Sequence, residues 1–171
     1  KDLNLFSLRS CMGYIPQDGY LFSGSVKENI AFTSNLIDKK GVLEAAKKVE
    51  ILEEIESFTD GLETVIGERG VKLSGGQKQR LAIARTFYKN PNLFIFDDCL
   101  SAIDATKEQK ILKNLKVESK GKTSIIISHR IATLKHTDHI IVLEEGKIIE
   151  QGTHQSLLKN KGSYYEINKS Q

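Results

Sequence analysis

Apolar residues fall into two kinds of pattern along the chain. Between Asp38 and Phe58, the residues Val42, Ala45, Ala46, Val49, Leu52 and Ile55 recur at helical spacing with Lys and Glu between them, which predicts one or two amphipathic helices. Leu93-Phe94-Ile95-Phe96 and Ile125-Ile126-Ile127 are instead unbroken. A helical stretch from Ala105 to Val117, carrying Ile111, Leu112 and Leu115, lies between them. Unalternating runs joined by a helix predict parallel strands covered on both faces, with right-handed β-α-β connectivity. Upstream, Cys11 to Ile15 predicts a short strand stopped by Pro16, and Ser25-Val26-Lys27-Glu28 is a capping box opening a short helix. Gly61, Gly67 and Gly70 punctuate a loop, and Ser74-Gly75-Gly76 precedes a helix that runs to Tyr88, with Pro91 at its exit. Ile140 to Leu143 and Ile148-Ile149 flank Glu144-Glu145-Gly146-Lys147 as a hairpin, and Thr153 to Lys161 and Ser163 to Asn168 read as terminal helices. The fold class is α/β.

Composition narrows this picture only by exclusion. With 171 residues the chain is long enough to bury a sizeable core. It has no internal repeat and only two prolines, so one compact unit is expected. Lys+Arg 25 against Asp+Glu 22 leaves +3, scattered without a basic run, which does not by itself call for nucleic acid or an anionic membrane as partner and makes nucleic acid the less expected ligand. Cys11 and Cys99 have neither CxxC spacing nor nearby histidines, which argues against a disulfide framework or a zinc site. No apolar run approaches the ~20 residues that cross a bilayer, and the first ten residues are neither a signal nor a transit peptide.

Candidate chemistry sits where the apolar runs stop. The first runs into Asp97-Asp98 and the second into Ser128-His129-Arg130. Ligands of open parallel sheets bind outside the carboxyl ends of strands, so these groups are expected to share one crevice. Two adjacent carboxylates there suit a hard, oxygen-liganded ion such as Mg²⁺ bridging to phosphate, although a turn with two solvated aspartates would read the same. Leu73-Ser74-Gly75-Gly76-Gln77 combines a capping serine with two glycines at the positive end of a helix. That arrangement lets an anion approach the backbone.

In combination, Leu73 to Gln77, the strand ending at Asp97 and Ser101-Ala102-Ile103-Asp104 resemble the nucleotide-binding domain of ABC ATPases. The resemblance covers essentially the whole chain. Gln17, after Gly13-Tyr14-Ile15-Pro16, matches the family's Q-loop, Leu73 to Gln77 its signature, and Leu93 to Asp97 its Walker B strand. Ser101 to Asp104 matches the D-loop and His129 the switch histidine. The resemblance implies a P-loop NTPase fold, incomplete here. Residues 1–24 and 89–171 would form the core sheet portion and residues 25–88 a helical subdomain carrying the signature. It also implies that two such domains close head to tail around ATP. Asp97 would hold Mg²⁺, Gln17 would contact the metal or water and sense a membrane domain, and His129 would touch the γ-phosphate. Asp98 occupies the position of the general base. Ser74, Gly75, Gly76 and Gln77 would meet the partner's nucleotide, and Asp104 would communicate across the dimer. Leu21 to Ile30 and Ile66-Gly67-Glu68-Arg69-Gly70 look like the exporter type, whose membrane coupling helices dock nearby; Tyr20, Leu21, Phe22 and Glu68 are the expected contacts, with Tyr20 to Phe22 forming an exposed apolar patch. Such a domain works at the cytoplasmic face of a membrane. A soluble ABC ATPase is the less favoured relative.

Two departures from the family pattern qualify what the resemblance implies. No G-x-x-x-x-G-K-[ST] is present: Gly121-Lys122-Thr123 has Lys116 where the first glycine belongs and precedes a strand instead of following one. The Walker A element lies upstream of the Q-loop in the family, so the chain is expected to be a fragment of a longer subunit, inactive alone. Asp98, followed by Cys99-Leu100, replaces the usual Glu. This is similar to the degenerate half of heterodimeric exporters, which implies a slow own site or a non-hydrolysing regulatory clamp.

Overall fold

The computed structural model describes residues 4–32, 34, 36–67 and 70–171. Two compact units follow one another, Lys1–Ile127 and Ser128–Gln171, although the lack of a linker suggests one. Within the first, α1 (Leu5–Cys11) is capped by the Asn4 side chain, which accepts the Phe6 amide hydrogen bond at 2.9 Å. Lys89 Nζ donates to the carbonyls of Arg9 at 3.1 Å and Met12 at 2.6 Å, closing the other end. These caps draw Cys11 into the helix, so the expected strand starts one residue later, as β1 (Met12–Ile15).

β1 pairs in parallel with β4 (Leu93–Asp97), and β4 in parallel with β5 (Thr123–Ile127), in the order β1-β4-β5. Between β1 and β4 come β2 (Gly24–Ser25), α2 (Val26–Ile30), α3 (Lys39–Lys48), α4 (Leu52–Glu56), β3 (Val65–Ile66) and α5 (Gly75–Lys89); α6 (Ala105–Glu118) connects β4 to β5. β2 and β3 form a two-residue antiparallel pair in the stretch read as a loop around Gly67. The capping box expected at α2 is complete, with Ser25 and Glu28 each satisfying the other's amide.

The core is built on one sheet face. Ile15, Phe94 and Phe96 are sealed against solvent, and Phe87 of α5 meets the Phe94 ring edge-on at 6.2 Å. Burying each such ring contributes about 2 kcal/mol. The other face is not covered by the described residues: Tyr14 is 55% exposed, Ile125 47% and Ile127 51%. This corrects the expectation of strands buried on both sides. Unbroken apolar runs reveal two apolar faces, but within these residues only one has helices against it.

In the second unit, α7 (Ile131–Leu134) precedes β6 (Ile140–Glu144) and β7 (Lys147–Gly152), then α8 (His154–Asn160) and α9 (Ser163–Ser170). Glu145 and Gly146 turn the hairpin with φ +47° and +74°, the left-handed pair that matches strand twist. Ile131, Ile140, Leu157 and Tyr164 form its core. No helix among the described residues is long and apolar enough to cross a membrane.

Candidate phosphate and cation site

Parallel pairing of β1 and β4 aligns Ile15 with Phe96, so the residues that follow each strand emerge side by side. Gln17 Nε2 reaches Asp98 Oδ2 at 3.5 Å, and the Tyr14 hydroxyl donates to Asp97 Oδ2 at 2.9 Å. That bond to Asp97 raises the Tyr14 phenol above its ordinary value. Asp98 adopts φ +44°, an uncommon left-handed conformation. Its amide donates to the Ile127 carbonyl at 2.8 Å, continuing the β4–β5 ladder by one residue and holding the turn. The donors gathered here are two carboxylates and an amide, all hard oxygen ligands on the acceptor side. Among the described residues no group of three or more His, Cys, Asp or Glu could hold a metal. Carboxylate oxygens are the kind of ligand that Mg²⁺ takes, alongside waters and phosphate. Asp97 would supply the protein's carboxylate, with Gln17 and Asp98 beside it.

The second cluster is the amino end of α5. Ser74 is its N-cap, in a complete capping box: the Gln77 amide donates to Ser74 Oγ at 3.2 Å and the Ser74 amide to Gln77 Oε1 at 2.8 Å. A helix leaves its first N–H groups without intrahelical acceptors, and the Ser74 hydroxyl takes that of Gln77, which leaves the amides of Gly75 and Gly76 pointing outward. Gly75 is exposed, and a Cβ on it would meet only Ala102 Cβ at 3.9 Å. Gly76 is tighter: its Cβ would come within 2.9 Å of the Ala102 carbonyl oxygen, so the signature and the 101–104 loop lie in contact. Gln77 was expected among the nucleotide ligands. Its amide is used at both ends internally, because Nε2 also donates to Glu54 Oε2 at 2.9 Å.

Glu54 is the residue that pattern reading missed. Its carboxylate accepts from Arg80 Nη1 at 2.7 Å and Nη2 at 2.9 Å, and from Lys107 Nζ at 2.8 Å. Burial opposes its ionisation, and the hydrogen bonds from Arg80, Lys107 and Gln77 outweigh that, holding the carboxyl at about 2. Arg80, only 5% exposed, also donates to the Gly76 carbonyl at 3.3 Å. Nothing in the acidic run Glu53-Glu54-Ile55-Glu56 singles out this carboxylate; Arg80, so close behind the signature, was the available signal.

The remaining candidates are placed individually. Asp104 is the N-cap of α6 and accepts the Lys107 amide at 3.0 Å. His129 belongs to the second unit, exposed, with its carbonyl accepting from Gln171 Nε2 at 2.6 Å. Glu68 lies outside the described residues. Of Tyr20, Leu21 and Phe22, only Tyr20 is fully exposed, at 66%. Leu21 packs on the core, and Phe22 stacks on Phe32 with centroids 3.8 Å apart. The expected apolar patch is therefore smaller and differently composed, with Phe32 in it. Its order comes from buried Asn29, which bonds both the amide and carbonyl of Phe22 at 2.8 and 2.9 Å, and from Arg85, which lies 5.0 Å from the Phe22 centroid.

The sequence profile of the ABC transporter family matches residues 2–101. The chain is 46% identical over 171 residues to the uncharacterized ABC transporter ATP-binding protein YwjA of Bacillus subtilis, covering all of this chain and 30% of that one. It is also 46% identical over 166 residues to the probable multidrug resistance ABC transporter ATP-binding/permease protein YheI of the same organism, covering 97% of this chain and 28% of YheI. The solved structure of a bacterial Atm1-family ABC exporter with ATP bound superposes with TM-score 0.92 at 42% identity, over 96% of this chain and 29% of that one. The chain thus spans about 30% of the length of these two curated relatives. With the parallel sheet, the capped Ser74–Gln77 turn and the Asp97–Asp98 strand end in the same order as the family motifs, the chain belongs to the ABC transporter family and carries part of its ATPase domain.

Proposed function

We propose that this chain is part of the ATPase subunit of an exporter, coupling ATP binding and hydrolysis to movement of a substrate across a membrane. The observation that carries this reading is the Ser74-capped α5, which presents the Gly75 and Gly76 amides beside the loop that follows Asp97-Asp98. Similarity to multidrug ATP-binding/permease proteins supports it. Residues 25–88 act as the helical subdomain that carries the signature, and residues 1–24 and 89–171 as the core portion of the domain. ATP is held between two such domains, with Ser74, Gly75 and Gly76 meeting the nucleotide of the partner domain. Bound Mg²⁺ supplies charge neutralisation of the phosphates, and Asp97 is its carboxylate ligand. Gln17, beside Asp98, orients the attacking water, and His129 contacts the γ-phosphate. The segment around Tyr20 and Phe22 docks the membrane domain, at the cytoplasmic face.

Asp98 favours one refinement, a heterodimer in which the site of this subunit is slow and the signature completes the competent site of the other. An aspartate falls one methylene short of a glutamate, and a general base displaced by about 1 Å costs on the order of 100-fold in rate. If this site hydrolyses nothing, the domain acts as a regulatory clamp. The test is ATP turnover of the full-length transporter. Asp98→Glu is expected to raise it, and substitution of Ser74 or Gly75 to lower it nearly to background. Unchanged turnover in Asp98→Glu would remove Asp98 as the limiting group. Because the 171 residues contain no P-loop sequence, they are expected by themselves to show no micromolar ATP affinity in calorimetry.

A further inference from the structure

Gln79 has no assigned part in the motifs, yet it touches two of them and lies on the helix that carries a third. It lies on α5, two residues past the signature, and is 6% exposed. Its Nε2 donates to the Gln17 carbonyl at 2.8 Å, and its Oε1 accepts the Ala102 amide at 3.2 Å. The backbones close in around the same point. A Cβ on Gly19 would fall 2.7 Å from the Gln79 backbone nitrogen, and one on Gly76 would fall 2.9 Å from the Ala102 carbonyl oxygen. Both segments bonded to this one amide lie outside the helices and strands. A buried side-chain amide satisfied at both ends is costly to break and keeps its rotamer, so it transmits displacement instead of absorbing it.

We propose that Gln79 is a positioning residue: its amide ties the loop of Gln17 to the loop of Ser101–Asp104, so that a shift of one moves the other together with the signature helix. This rests on the ATPase reading only for its consequence in turnover; the link itself is a property of the chain. Gln79→Leu removes both bonds. Gln79→Glu keeps the acceptor for Ala102 and loses the donor to Gln17. The first measurement is amide hydrogen exchange in the 171-residue chain. Gln79→Leu is expected to speed exchange of the Ala102 amide roughly tenfold, and Gln79→Glu to leave it protected. Gly19→Ala, which pushes the first loop against α5, is expected to speed Ala102 exchange when Gln79 is present and to add nothing when it is Leu. Equal effects of Gly19→Ala in both backgrounds, or an Ala102 amide still protected in Gln79→Leu, would overturn the proposal. The second measurement is ATP turnover of the full-length transporter. Both Gln79 variants are expected to lower kcat about tenfold with KM for ATP within about twofold, whereas unchanged kcat in both would overturn the coupling. If the unaltered transporter hydrolyses no ATP, the ATPase reading falls, and the exchange cycle still decides whether Gln79 joins the two loops.

Discussion

The amino end of α5 and the carboxyl end of β4 carry the candidate phosphate and cation groups, and they are held in opposite ways. At α5, Ser74, Gln77, Glu54, Arg80 and Lys107 bond one another, with Arg80 almost fully buried and two cations on one carboxylate. The turn is fixed before any ligand arrives. At β4, Tyr14 and Gln17 make single, exposed contacts to Asp97 and Asp98, the longer at 3.5 Å. Both carboxylates are half-buried at the end of the strand. The difference teaches which half is a template and which is completed by its ligand. On the proposed reading, an anion would meet preorganised amides at α5, and a metal would complete the strand end.

The largest expected effect tests whether the template depends on Glu54. Glu54→Ala leaves the Arg80 guanidinium buried without its carboxylate, and removing one partner of a buried pair costs more than the pair contributes. Because Glu54 and Lys107 are partly exposed, we expect a loss near the low end, about 2–3 kcal/mol in urea denaturation, with faster amide exchange at Gln77. Acid gives the same information without a deletion. In the folded chain the Glu54 carboxyl is held at about 2, below its ordinary 4.5, so its contribution is fully present above pH 4.5 and is lost as pH falls toward 2. Glu54→Gln is expected to flatten that part of the stability profile. Glu28, lowered by its hydrogen bond from the Ser25 amide, keeps a smaller slope in both proteins. A Glu54→Gln profile as steep as the parent's would show that the signature turn does not rest on this carboxylate.

The same contrast explains what could be read from residues alone. α5 was legible because a cap, two glycines and a proline exit are local signals, and the strand ends were legible because an apolar run stops at charge. Glu54 was not, since its partners lie 23, 26 and 53 residues away and only the packing of α4 against α5 and α6 brings them together. Gln79 was hidden for a related reason: a glutamine on a helix reads as surface, and its burial depends on two loops folding over it. The burial of strands was over-read, because an unbroken apolar run records two apolar faces and says nothing of whether both have a neighbour. Phe22 was misjudged as exposed for want of Asn29 and Phe32, whose contacts with it are set by a turn.

The smallest effect separates the two glycines that the motif treats as a pair. Both lie in the first turn of α5, where alanine has the better helix propensity, so a Cβ at an open position should stabilise by a few tenths of a kcal/mol. Gly75 is such a position, with its nearest neighbour 3.9 Å away. At Gly76 the added carbon would stand 2.9 Å from the Ala102 carbonyl oxygen, a backbone atom of the loop that Gln79 also holds. That loop has little room to move without loosening the Gln79 bond. Gly76→Ala is therefore expected to lower stability by about 1 kcal/mol and Gly75→Ala to leave it unchanged or slightly higher, read as melting temperatures of the 171-residue chain. Any loss of function in Gly75→Ala then reflects blocked access to its amide, whereas loss in Gly76→Ala mixes access with a displaced loop. Equal destabilisation by the two substitutions would mean that the 101–104 loop does not lean on the signature, and the rigid template at α5 would shrink to its cap and the Glu54 cluster.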